Sequence, residues 1–169
     1  MRIGIALGSN LGDRMANLRA ARQAIVDLGN IKPPVLSSPI YETEPIDCEP
    51  GAARFLNAVL EFDYNGDAFD LLGQLRLIET DLGRPRNHGR NVSRNIDIDL
   101  LYFGDAIFSN EELQVPHPRM HLRRFVLQPL VDIRPDLVLA DQAKTVQELL
   151  ASLKDSAKVT RLTNDWKSK

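Results

Sequence analysis

The stretch that most constrains this chain is Ile96-Asp97-Ile98-Asp99-Leu100, because a strand that alternates apolar and acidic residues can bury only one of its faces. Ile96, Ile98 and Leu100 fill a core face, while Asp97 and Asp99 share the other with their Cα atoms about 6.5–7 Å apart. Two carboxylates that close raise each other's pKa unless a cation lies between them, and hard divalent cations such as Mg²⁺ take oxygen ligands of this kind. The loop just upstream carries Arg84, Arg86, Arg90 and Arg94. Four guanidinium groups are more positive charge than two carboxylates need. A polyphosphate wants both a metal and fork-shaped cations. The plain alternative is an acidic pair on a solvent-facing strand, and the arginine loop joined to it argues against that.

Residues 2–8 read as a strand whose bulky face is Ile3, Ile5 and Leu7 and whose small face is Gly4, Ala6 and Gly8, so something must pack closely on the small side. Gly8 to Asp13 is a turn before a helix over 14–28, with Leu18, Ala21, Ile25 and Leu28 as its stripe and Gly29 as its stop. This glycine-rich turn is not a phosphate loop, since the Lys-Ser/Thr of a Walker motif is absent. After Pro33-Pro34 a second strand is expected over 35–41, then a proline-rich acidic loop to Gly51 that reads as a surface lid. The third strand, 55–62, sets Phe55, Asn57 and Val59 on one face, so that Asn57 can hydrogen-bond a heterocycle stacked on the aromatic beside it. Asp67 caps a helix over 68–82, which brings Glu79 next to the arginine loop. Residues 103–106 signal a hairpin to Ile107-Phe108, and two prolines fix the backbone around His117. A helix over 125–131 that includes Pro129, a last helix opened by the capping box Thr145 to Glu148, and a loosely held polar tail from about 155 complete the chain.

Length points to one domain over 1–169, and the order of elements points to an α+β fold with a mostly antiparallel or mixed sheet. A net charge of −2 argues against broad binding to nucleic acid. No window approaches the ~20 apolar residues of a membrane span, and the apolar run at the N-terminus is too short for a signal peptide. The single cysteine, Cys48, excludes an internal disulfide and fits a reducing cytoplasm.

Taken together, several stretches resemble one family, the 6-hydroxymethyl-7,8-dihydropterin pyrophosphokinases of folate biosynthesis. They are Gly8-Ser9-Asn10-Leu11-Gly12, Ser37-Ser38 to Tyr41 with Thr43 and Pro45, Phe55-Leu56-Asn57-Ala58, Ile78-Glu79 with Gly83-Arg84-Pro85-Arg86, Arg94 with Ile96 to Leu100, and Val115-Pro116-His117 with Arg123 and Phe125. The resemblance implies a three-layer αβα sandwich with a ferredoxin-like core. It also implies transfer of pyrophosphate from ATP to the pterin hydroxymethyl group, leaving AMP, in a cytoplasmic monomer with small-molecule substrates. By the same resemblance Asp97 and Asp99 hold two Mg²⁺ ions, and Arg84 and Arg94 close over the phosphates. Glu79, Arg86, Ile98, His117 and Arg123 then bind ATP, while Thr43, Pro45, Ile46, Phe55, Asn57 and Phe125 bind the pterin, Phe55 and Phe125 as its sandwiching rings. The family's aromatic before the Asp pair is replaced here by Asn91-Val92-Ser93, and Glu44 stands where some members have a second proline. The loop departure leaves a non-catalytic pterin- or nucleotide-binding relative as the alternative. The arginine loop is expected to order only when both substrates are bound.

Overall fold

The computed structural model describes residues 1–45, 51–83, 93–154 and 157–166. Its elements run β1 (Arg2–Ser9), α1 (Arg14–Val26), β2 (Ile31–Ser37), β3 (Ile40–Thr43), β4 (Phe55–Tyr64), α2 (Ala68–Asp81), β5 (Asp97–Phe103), β6 (Phe108–Ser109), β7 (Gln114–Val115), a 3₁₀ turn at Met120–Leu122, α3 (Arg124–Ile133), α4 (Val146–Ser152) and β8 (Val159–Thr163). The main sheet has the order β5-β1-β4-β3-β8, with β2 paired to the other end of β4, and every pair in it is antiparallel. Helices α1 and α2 cover one face and α3 and α4 the other, which is the three-layer α+β sandwich that the order of elements and the family resemblance called for.

Alternation decides which side chain goes to which layer. Ile3, Ile5 and Leu7 of β1 and Leu56, Leu60 and Phe62 of β4 pack with Leu18, Ala21 and Ile25 of α1 and Leu71, Leu75 and Ile78 of α2. Full burial of each large aliphatic side chain there contributes ~1.5–3 kcal/mol. The small face of β1 looks toward α3 and α4. A Cβ on Gly4 would lie 2.1 Å from the Tyr102 ring, so the ring lies directly over that glycine. A β-bulge places it there: the pairing of β1 with β5 jumps between Gly4 and Ile5, and Leu101 and Tyr102 therefore both join the α3/α4 layer. The Tyr102 hydroxyl donates to Glu61 Oε2 at 2.6 Å, and the buried Glu61 carboxylate also pairs with Arg2 and Arg134. Burial and that carboxylate push the phenol above its ordinary pKa, so it stays a donor.

Four elements differ from the expectations above. The strand expected over 35–41 is two strands, and Pro33-Pro34 lies inside β2 rather than before it, in the gap between Lys32 and Leu36 where β2 makes no ladder contact with β4. Ser38 parts the two strands: its Oγ accepts from Val59 N at 2.9 Å and donates to Pro39 O at 2.7 Å, replacing a ladder step with a side chain. Helix α1 closes at Asp27, whose N–H bonds the Gln23 and Ile25 carbonyls, not at Gly29. Phe108 pairs with Val115 in a separate two-stranded sheet, so 103–106 is a turn and not a hairpin onto β5. The tail is not loose over 157–166: β8 adds an edge strand to β3, and Trp166 Nε1 donates to Ser38 O at 2.9 Å. The ladder is made of backbone groups, which carry no sequence signature, and the indole finds a backbone carbonyl.

Candidate active site

The site follows from the sheet register. Asp97 of β5 stands opposite Gly8 of β1, and Gly8 opposite Asn57 of β4; in the next row Asp99, Ala6 and Val59 align. Side chains in a row share a face, so both carboxylates and the Asn57 amide project from the α3/α4 side of the sheet. Between them β1 contributes only Gly8 and Ala6. A Cβ on Gly8 would lie 3.2 Å from Asn57 Oδ1 and 3.9 Å from both Asp97 Cβ and Phe55 Cδ1, so glycine is what opens a trough between the carboxylates and the amide. Phe125, at the start of α3, closes that trough from above.

Positive charge gathers at the Asp end. Arg94 Nη1 lies 3.3 Å from Asp97 Oδ1, and the buried Arg94 Nε has no hydrogen-bond partner among the described residues. An orphaned guanidinium N–H beside a carboxylate suits a further anionic oxygen. Arg123 stacks 5.4 Å from the Phe125 ring centroid. Burial and then the Arg119 charge hold Arg123 below the ordinary arginine value, while Asp99 and Asp97 act in the opposite sense. His117 reaches the same region through its backbone, whose N–H donates to the carbonyl of the bulge residue Leu101 at 2.7 Å. Its ring Nδ1 accepts from Arg119 N at 3.2 Å, so the neutral ring carries its proton on Nε2. Burial, and then Arg123 and Arg119, lower its pKa from 6.5 to about 4. The donors present near the trough, two carboxylates on one face, are of the hard oxygen type that suits Mg²⁺. Among the described residues no group of three or more His, Cys, Asp or Glu side chains gathers around one point, so a metal here would draw its other ligands from substrate and water.

At the Asn57 end the side chains hold one another. Asn57 Nδ2 donates to Thr43 Oγ1 at 2.7 Å between two buried residues on paired strands, which fixes the amide with its Oδ1 toward Gly8. Pro45 follows β3, whose nearby acidic residues are tied to the segment before β4 and to the start of α1: Glu44 to Arg54 at 2.6 Å, and Glu42 to Arg54 at 3.5 Å and to Arg14 at 3.0 Å. Glu79 spends one oxygen on the sheet, where Oε1 accepts from Ile98 N at 2.7 Å and ties α2 to the start of β5.

Asp97, Asp99, Asn57 and Phe125 thus line one trough, with Phe55, Arg94, Arg123 and His117 around it. Arg84, Arg86 and Ile46 lie outside the described residues, as do residues 84–92 of the loop from Arg84 to Arg94 that is expected to order only with both substrates. Asn10 belongs to the turn and to one of the stretches that carry the family resemblance, but the sequence assigns it no role of its own. It is 2% exposed and hydrogen-bonds two separate segments, at Ala53 and at Ser93-Arg94. A polar residue after a strand has no periodicity to give such a role away.

The family model described as 7,8-dihydro-6-hydroxymethylpterin-pyrophosphokinase (HPPK) matches residues 4–135. The chain is 39% identical over 151 residues to a 2-amino-4-hydroxy-6-hydroxymethyldihydropteridine pyrophosphokinase of Pseudomonas aeruginosa, covering 89% of this chain and 91% of that one. To the enzyme of the same description from Bacillus subtilis it is 41% identical over 145 residues, covering 85% of each. In fold it is similar to a solved HPPK-DHPS chain of Plasmodium falciparum, with a TM-score of 0.69 at 17% identity over 89% of this chain; it spans 42% of that longer chain's length.

Proposed function

The chain belongs to the 7,8-dihydro-6-hydroxymethylpterin-pyrophosphokinase family and transfers a pyrophosphoryl group from ATP to the pterin in folate biosynthesis, and from that premise we propose how its residues divide the work. Asp97 and Asp99 would hold Mg²⁺, two ions in all, where the ATP phosphates bind. When bound, the metal supplies charge neutralisation and lowers the pKa of a coordinated hydroxyl. Arg94 presents its Nε, which has no partner among the described residues, to phosphate oxygens beside Asp97, and Arg123 and the Nε2–H of His117 supply further donors to the nucleotide. Glu79 and the Ile98 backbone border the nucleotide through their mutual bond. Arg84 and Arg86 act on the same phosphates by the family resemblance alone. The Thr43–Asn57 pair offers Asn57 Oδ1 to the pterin edge, Pro45 and Ile46 border it, and Phe55 and Phe125 hold its faces. Catalysis on this reading is positioning and electrostatics: the hydroxymethyl oxygen is aimed in line at the β-phosphorus, and no strong general base is required. The enzyme works as a monomer in the cytoplasm; none of its described helices is long and apolar enough to cross a membrane.

The observation that carries this reading is that Asp97 and Asp99 open onto the same trough as Asn57 and Phe125, so that phosphates and pterin meet across Gly8. Incubation with ATP, Mg²⁺ and 6-hydroxymethyl-7,8-dihydropterin should release AMP rather than ADP. Asp97→Ala and Asp99→Ala should each lower turnover by about 10³-fold or more while leaving the melting temperature near that of the parent. Turnover within a few-fold of the parent at limiting Mg²⁺ would remove the carboxylates from the metal site.

A further inference from the structure

Asn10 makes four hydrogen bonds to segments far away in the chain. Its Oδ1 accepts from Arg94 N at 2.8 Å and its own N donates to Arg94 O at 3.2 Å, gripping that residue's backbone from both sides. Its Nδ2 donates to Ser93 Oγ at 3.1 Å and to Ala53 O at 3.3 Å. Both Nδ2 hydrogens and the Oδ1 are therefore engaged, and at 2% exposure no water can replace a lost partner cheaply. One end of this junction is Arg94, which pairs with Asp97. The other is Ala53, two residues before Phe55, whose ring borders the trough. A second amide works beside it: Asn95 Nδ2 donates to Leu82 O at 3.3 Å and lies against Gly83, so the backbone on both sides of the arginine loop is held by asparagine side chains.

We propose that Asn10 is a positioning residue that couples the two substrate ends of the site, fixing residues 93–94 to residue 53 so that the pterin end and the Arg94 guanidinium adopt their reacting places together. A buried amide bonded at both its nitrogen and its oxygen has two states, joined or broken, and breaking it leaves donors and acceptors unsatisfied. Binding that orders residue 53 at the pterin end therefore favours the placement of Arg94, and phosphate held by Arg94 favours the pterin end in return. This rests on the assignment of Arg94 to phosphate and of the Phe55–Asn57 end to pterin.

The test measures the dissociation constant of the pterin with and without a non-hydrolysable ATP analogue and Mg²⁺, together with kcat and both KM values. In the parent the analogue should tighten pterin binding, and in Asn10→Ala that gain should fall toward unity while kcat drops about tenfold or more and each substrate alone binds within about 3-fold of the parent. Asn10→Asp keeps the acceptor for Arg94 N but replaces the Nδ2 donor, so it should lose the coupling as well and retain more of kcat than Asn10→Ala. Ser93→Ala removes one of the four bonds and should lose part of the gain, which keeps the test decisive if Asn10→Ala does not fold. A parent with no coupling, or variants that melt lower yet keep both kcat and coupling, would overturn the proposal and leave Asn10 a purely structural residue. Failure of the wider site assignment would show separately, as an active Asp97→Ala enzyme.

Discussion

His117 is held neutral by its surroundings, and the sign of the consequence follows from linkage. With its pKa lowered from 6.5 to about 4, the folded protein binds fewer protons than the unfolded chain between those values, so the associated stability is fully present above pH 6.5 and is lost as pH falls toward 4. The full loss is on the order of 3 kcal/mol. His117→Gln should flatten that acid limb in denaturant titrations run across the window, and a limb of unchanged steepness would place the acid sensitivity elsewhere. Phe125 is open to a different measurement. It lines the trough and also packs against the α3/α4 layer, so Phe125→Ala should weaken pterin binding by about 0.5–1.5 kcal/mol beyond the area term and ATP binding much less. Equal losses in calorimetric titrations of the two ligands would make it a core residue only. That Asp97, Asp99 and Phe125 line one trough was legible at this scale because their chemistry is unusual for a strand or a loop. Asn10 was not, since a buried amide is distinguished only by what it touches.

Two glycines show how an element's neighbours set the effect of one methyl group. On β1, the Cβ of Gly4→Ala would enter the Tyr102 ring, forcing the ring off the strand and its hydroxyl off the buried Glu61; overpacking alone costs ~1–3 kcal/mol, and the lost bond to a charged group adds ~1.5–3. On α2, Gly73 has nothing within 4 Å of the same atom, and Gly73→Ala should raise stability by ~0.5–1 kcal/mol through helix propensity. Urea midpoints should move in opposite directions for the pair; a neutral Gly4→Ala would mean that the bulge can relax. Patterned elements came out of the sequence with ends correct to a residue or two: α2 behind its Asp67 cap, α4 behind its capping box, and β4. The split between β2 and β3 and the edge strand β8 did not, because a serine side chain standing in for the backbone and a ladder made of N–H and C=O groups leave no trace in residue type.

At the scale of the whole molecule, two apolar layers lie on opposite faces of the same strands: β1 and β4 send Ile5 and Leu60 to one layer and Ala6 and Val59 to the other. Neither layer can come apart without exposing strands the other needs, so thermal unfolding should be a single transition with calorimetric and van't Hoff enthalpies equal. Two resolved transitions would mean that the α3/α4 layer is a separate unit. The sequence by itself determined the layers, the family and the pair of carboxylates on one strand, because alternation, caps and charge clusters act over a few neighbouring residues. Tertiary structure decided the rest. Antiparallel register set Asp97 against Gly8 and Gly8 against Asn57, a bulge at Leu101 brought Tyr102 over Gly4 and gave His117 its carbonyl, and one buried amide tied the residues around 53, 10 and 94 together. Those contacts join positions dozens of residues apart through backbone groups and close packing, and they exist only once the sheet has closed.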